Sequence, residues 1–381
     1  MSIKESIIEV IDSNKDRFIE ISHLIHEKPE VGNKEFFASN LLIKELENHG
    51  FSVETNIAGH ETGFIATKKA SKEGATIGYL AEYDALPGLG HGCGHNIIGA
   101  SSIAAAIALG EVIEQCGGTV KVFGTPAEEG GENGSAKGSF VKAGVFEGVT
   151  AAMMVHPGSY TQRTGKSLAV APIDFEFFGK PAHASGCPEE GINALDAMLL
   201  FYNGINALRQ QVTSDVRIHG VILNGGEAPN IIPEYTRARF YLRAATREAL
   251  EVLTHRVINI AQGSAISTGC TTSHTYIQNI VENLVPNVAL DNIFEECIED
   301  LGEMVEKSIK KSVGSTDTGN VSHVVPTIHP TISICDEEIP AHTVEFREAA
   351  CSTKGDKGLI LAAKALALTG LKVIEDPDIV R

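Results

Sequence analysis

The chain predicts an α/β protein of two domains, in which a mixed-sheet α/β domain is interrupted by an inserted ferredoxin-like β-α-β-β-α-β unit. Three observations predict it. Apolar runs of strand length alternate with a helical stretch through the first 160 residues, as in parallel βαβ units. From about Ser167 the order becomes strand, helix, strand, strand, helix, strand, that of a split βαβ unit. After residue 281 helices return around short strands and bring His342, which has to join residues from before position 160. The middle unit is therefore an insertion, giving domains 1–166, 167–281 and 282–381, and 381 residues suffice for two cores.

Residues through about 48 have helical periodicity, broken at KPEVGNKE by Pro29 and Gly32. FSVET, GFIATKK, TIGYLAEY, TVKVFG and AAMMV then read as strands. IIGASSIAAAIAL, broken by serines and flanked by polar residues, falls short of a membrane span and reads as a buried helix. The insertion runs SLAVAPIDFEFF, INALDAMLLFYNGINALRQQV, VRIHGVIL, YTRARFYLRA, REALEVLTHRVINIAQ and TTSHTYIQNI. NIFEECIEDLGEMVEKSI and GDKGLILAAKALALTGL are the closing helices, and neither repeats nor low-complexity tracts occur.

A formal charge of −18 argues against nucleic-acid binding. Seven cysteines without regular spacing do not make a disulfide framework, and the charged start MSIKESIIEVIDSNKDRF does not read as a leader, so a reducing cytoplasm is expected. No membrane association is expected.

Function is announced where the strands end. ATIGYLAEYDALPGLGHGCGH reaches Cys93 and His95, TVKVFGTPAEE reaches Glu128 and Glu129, AAMMVHP reaches His156, and EIPAHTVEF adds His342. In an open α/β sheet the crevice lies beyond the carboxyl ends of parallel strands, where side chains from separate strands converge. Thiolate, imidazole and carboxylate suit borderline-soft divalent ions. Cys93, His95, Glu129, His156 and His342 are five candidate ligands, one more than a closed structural site uses, so two ions with a bridging ligand and room for water are expected. Glu128 is then the spare carboxylate that moves protons, and Asp84 a carboxylate that orients a ligating imidazole. GLGHGC misses a dinucleotide fingerprint because Cys93 stands at the third glycine.

Read singly, each motif has a plainer meaning: a buried thiol, a solvated acidic pair, a turn aspartate. His183, in KPAHASGCP, reads as a surface loop histidine, and the polar stretch GSTDTGNVSHVVP with His323 is left unassigned.

HGCGH, TPAEEGG, the His-Pro of MMVHP, KPAHAS, APNIIP and the late AHT, in that order and across nearly the whole chain, resemble the M20 metallopeptidase-like amidohydrolases. HGCGHN and GSTDTGNVSHVVP are most similar to the p-aminobenzoyl-glutamate hydrolase and dipeptidase-like branch. The resemblance implies two divalent ions per subunit, zinc or manganese, held by Cys93, His95, Glu129, His156 and His342, with Glu128 as general acid/base and Asp84 in support. It implies that the inserted domain is a dimerisation lid whose His183 serves the neighbouring subunit's site. Asn230 and Arg243 would hold the substrate's reaction centre and carboxylate. A homodimer is expected, and pairing of dimers into tetramers stays open. The expected reaction is hydrolysis of a small N-acyl amino acid, aminobenzoyl-glutamate-like or dipeptide substrate. A metal-binding scaffold without turnover and a Cys93-nucleophile hydrolase are the alternatives.

Overall fold

The structure, a computed structural model, describes residues 2–307 and 314–380. These form two compact units, 2–166 with 284–307 and 317–380, and 167–283 with 314–316. The second unit thus reaches two residues past the sequence-derived boundary at 281, and Gly314–Thr316, expected in the closing segment, group with it.

The first unit opens with α1 (Ile3–Ser13), α2 (Lys15–Glu27) and α3 (Phe36–Asn48). A reciprocal capping box between Ser2 and Glu5 starts α1, and the break at KPEVGNKE lies between α2 and α3. Strands β1 (Ser52–Ile57), β2 (His60–Lys69), β3 (Thr76–Ala81), β4 (Thr119–Gly124), β5 (Ala151–Met153) and β11 (Thr327–Ile328) form one sheet in the order β1-β2-β4-β3-β5-β11. β4, β3, β5 and β11 run parallel, whereas β1–β2 and β2–β4 are antiparallel, so the sheet is mixed. Beside it β6 (His156–Gly158) pairs in parallel with β12 (Thr331–Ser333).

Helix α4 (His95–Cys116) is buried at nearly every position, packing on β3 and β4 on one side and on α1, α2 and α11 (Thr353–Glu375) on the other. The sequence reading placed this stretch below span length, but the complete helix is long and apolar enough to cross a membrane, and it is the core helix of the unit. α11 crosses β3 closely: a Cβ on Gly370 would fall 2.4 Å from Tyr79 Oη, whose hydroxyl donates to Leu366 O. The short helices α5 (Ala136–Lys142), α9 (Thr318–Ser322) and α10 (Val344–Ala349) complete the unit with α8 (Val288–Asp300). α8 ends early because Gly302 takes φ +88°, the left-handed conformation that closes a helix. The sequence extended this helix to Ile309, whose last residues, 308 and 309, lie outside the described residues.

The second unit follows the order β7 (Ala169–Phe178), α6 (Ala194–Leu208), β8 (Arg217–Asn224), β9 (Tyr235–Ala244), α7 (Arg247–Thr268), β10 (Thr271–Tyr276). Its sheet is antiparallel throughout, in the order β10-β7-β9-β8. β9 alternates buried and half-buried residues, as a sheet covered on one face requires, and Phe175, Phe201 and Phe240 meet in the core. Asn193 and Thr246 cap the two helices. β8 is an edge strand and leaves Val221, Ile222 and Leu223 exposed.

Candidate metal centre

The register of β3 on β4 pairs Ala81 with Gly124, so the segments that leave the two strands, Glu82–Asp84 and Thr125–Glu129, emerge side by side. β5 delivers His156 on the same side of the parallel sheet through Met154 and Val155. The fourth contribution precedes α4, where Gly94 has φ +75° and a Cβ would fall 2.5 Å from Pro157 Cγ. Only glycine fits both demands, and it sets Cys93 and His95 on either side of a tight turn. His342 arrives from the C-terminal segment at φ +66°, an unusual conformation for histidine, tied by its N–H to Gly92 O.

All five expected ligands converge. Cys93 Sγ is 3.8 Å from His156 Nε2 and 3.4 Å from His342 Nε2, and His342 Nε2 is 3.7 Å from Glu129 Oε1. The donor atoms form two groups within 4.8 Å, Cys93 with His95 and His156, and Cys93 with Glu129 and His342. Asp84 orders both sides: Oδ1 accepts from His95 Nδ1–H at 2.9 Å and Oδ2 accepts from the Glu129 N–H at 2.9 Å. His156 Nδ1–H donates to Pro157 O, which turns Nε2 toward Cys93. Among the described residues, His95 Nε2 and Glu129 Oε1 are buried without a hydrogen-bond partner, and two orphaned ligand atoms 3.9 Å apart suit a cation.

The electrostatics favour positive charge here. Desolvation opposes a charged His95, yet Asp84 and Glu82 outweigh it and raise its proton affinity well above the ordinary value. Desolvation, with His329 adding to it, lowers His156 to about 3 and keeps it as the neutral imidazole a metal takes. Desolvation, with Glu82 and Glu129 adding to it, pushes Glu128 well above the usual carboxylate range. It also raises the Cys93 thiol, the reverse of the setting that generates a free thiolate nucleophile.

Several residues of the site escaped the sequence. Glu82 lies two positions before Asp84, with Oε2 3.4 Å from His95 Nε2; a second carboxylate at that spacing past a strand end was the available signal. Lys137 is fully buried between Glu82 and Asp317, the latter from the polar stretch left unassigned. Nothing in SAKGSF marks a buried lysine. Glu35 accepts from the N–H groups of Asn33 and Ala127 and from Thr62 Oγ1, holding the turn that carries Glu128.

His183, Asn230 and Arg243 belong to the second unit. His183 is exposed, and its Nδ1 accepts from the N–H of Ser185 and Gly186, leaving Nε2 as the donor. Ala184 N–H donates to Asn230 O and His183 forms an isolated bridge with Ile231, so the loops carrying His183 and Asn230 lie side by side. Arg243 Nη1 donates to Ser315 Oγ at 2.6 Å.

The fold, together with the family and relatives it matches, defines a hydrolase of peptide and amide bonds. Residues 78–363 match the model of peptidase family M20/M25/M40, and the chain belongs to that family. It is similar to the Xaa-Arg dipeptidase of Mus musculus, 35% identical over 98% of this chain and 90% of the relative. One of the p-aminobenzoyl-glutamate hydrolase polypeptides of Escherichia coli is 36% identical over 70% of this chain and 58% of the relative. The crystal structure of a dinuclear metal-binding M20-family peptidase from Bacillus subtilis superposes with a TM-score of 0.69 at 20% identity, over 96% of this chain and 99% of that one.

Proposed function

We propose that the protein is a two-metal hydrolase of small substrates in which an amide joins an acyl group to an amino acid with a free carboxylate. The observation that carries this reading is that Cys93 Sγ belongs to both donor groups. Cys93 with His95 and His156, and Cys93 with Glu129 and His342, would hold two divalent ions, zinc or manganese, and a thiolate donor favours the softer zinc. Bound there, such ions supply Lewis acidity, polarising the scissile carbonyl and easing deprotonation of water.

The chain supplies the rest. Glu128, whose proton affinity is raised, takes the proton of the attacking water and delivers it to the departing amine. Asp84 fixes the His95 ring and the Glu129 backbone together. His183 donates from Nε2 to the tetrahedral oxyanion and Asn230 supports the same reaction centre. Arg243 grips the carboxylate as a planar fork. A second copy pairs along the exposed edge of β8, making a homodimer in which His183 serves the partner's centre.

Dipeptides are the first substrates to test, because the dipeptidase relative is matched along almost the full chain. Aminobenzoyl-glutamate-like compounds and N-acyl amino acids share the same amide and carboxylate. A mass-spectrometric screen of these classes with zinc- or manganese-loaded protein, and Glu128→Gln as control, tests the reading. Full turnover in chelator would overturn it in favour of a Cys93 nucleophile, and metal binding with no turnover on any class would favour a scaffold. Arg243→Ala should cost about 1.5–3 kcal/mol, mostly in KM, on substrates with a free carboxylate, and much less on their amides.

A further inference from the structure

We propose that Lys137 is the resident cation of a third donor cluster: by clamping Glu82 against Asp317 it keeps Glu82 out of the metal coordination sphere and confines metal binding to the two groups that share Cys93. The inference rests on the two-metal reading above and deepens it, making Lys137 a positioning residue that never touches substrate.

Glu82, His95 and Glu128 present donor atoms within 4.8 Å of one another, a third group with the geometry to hold an ion. An additional ion there, held by Glu82 and Glu128 beside His95, would tie up Glu128, the proton carrier. Lys137 forestalls it. Its Nζ donates to Asp317 Oδ1 at 2.5 Å and is ion-paired with Glu82 Oε1 at 2.7 Å, and its backbone N–H donates to Asp317 Oδ2 at 3.2 Å. Glu82 Oε2, 3.4 Å from His95 Nε2, is left without a hydrogen-bond partner among the described residues. Lys137, Glu82 and Asp317 are all buried to within a per cent of completely.

Stability alone is a weak reason for such a triad, since burying three charges costs as much desolvation as their attraction returns, and apolar replacements of similar volume are often as stable. An ammonium is nonetheless well suited to this position. It balances the carboxylates as an ion would, but it has no vacant coordination position to bind Glu128. It is tethered by α5, so it cannot exchange with the solvent pool of ions. Desolvation works against a charged lysine, and Asp317 and Glu82 outweigh it. Asp317, at the N-cap of α9, thereby gives a role to part of the polar stretch that carries this helix.

Zinc uptake tests this directly. Metal-free wild-type and Lys137→Met proteins, dialysed against buffered Zn²⁺, are analysed for zinc bound per chain by mass spectrometry, with circular dichroism as the check on folding. Lys137→Met should bind one more zinc per chain than wild type, and adding Glu82→Gln to it should remove the extra ion. Should Lys137→Met fail to fold, Lys137→Met with Asp317→Asn removes one charge of each sign, still frees Glu82, and should gain the same ion. A folded variant that binds no more zinc than wild type overturns the inference. The difference between variant and wild type decides the role of Lys137, whereas a wild-type count below two speaks against the two-metal reading itself.

Discussion

In the proposed mechanism Glu128 and Glu129 are neighbours with different duties, and the backbone between strand and loop separates them. Ala127 sits at φ +57°, turning the chain as it leaves β4, and the Glu129 N–H is tethered to Asp84. Both reach within 3.9 Å of His95 Nε2, but Glu129 Oε1 also lies 3.7 Å from His342 Nε2, whereas Glu128 groups with Glu82. Their substitutions should fail differently. Glu128→Gln should keep metal and fold while losing kcat by about 10²-fold or more, as expected for a missing general base. Glu129→Gln should lose metal affinity first, read by titration with a competing chelator. Near-normal kcat in metal-loaded Glu128→Gln would remove Glu128 from proton transfer. Cys93, His95, Glu129 and His156 were legible in sequence because each follows an apolar strand or a glycine turn, and such strands end at one edge; His342 stood out only by its residue type in AHT. Lys137 and Asp317 were not, since the partners are 180 residues apart and each sits in an ordinary polar context.

At the scale of elements, one buried carboxylate ties the start of α3 to the loop that carries Glu128. Glu35 stands at the N-cap of α3 but makes no cap; it spends its oxygens on Asn33, Thr62 and Ala127. Desolvation, with Asp84 adding to it, raises Glu35 to about 7. An acid whose folded pKa is raised stabilises the fold fully below its unfolded value, and that contribution is lost as pH rises through the folded value. In the metal-free protein, the wild type should thus lose stability relative to Glu35→Gln between pH values of about 4.5 and 7, since Gln keeps the oxygen acceptor and cannot ionise. Urea unfolding of both proteins at the two ends of that window checks it, and parallel curves would assign the pH dependence elsewhere. The sequence marked the strands and the break before α3 through apolar runs and Pro29, but not the antiparallel pairing of β2 with β1 and β4. Strand direction is set by the connections and by which edge is free, and an apolar run carries neither.

At the scale of the whole molecule, the second unit leaves a strand edge unmatched. Along β8, Val221, Ile222 and Leu223 are 59%, 39% and 49% exposed, on an edge whose outer backbone groups, among the described residues, lack a neighbouring strand in the sheet. Leu199 and Leu200 on α6 are also exposed. Bare apolar edges invite pairing, and an edge can pair with its own copy about a two-fold axis. On this reading the dimer is a condition of catalysis, because His183 completes the partner's centre. Val221→Glu places like charges across the axis and should give monomers by analytical ultracentrifugation, with metal retained and kcat reduced toward that of His183→Ala. A complementation experiment then separates assembly from chemistry. His183→Ala and Glu128→Gln protomers, each inactive alone, form hybrid dimers in which one of the two sites has both wild-type residues, so mixing should recover up to about half of the wild-type activity per hybrid. Hybrids whose formation is verified by mass, yet which stay inactive, would rule out His183 acting across the interface and return it to its own protomer.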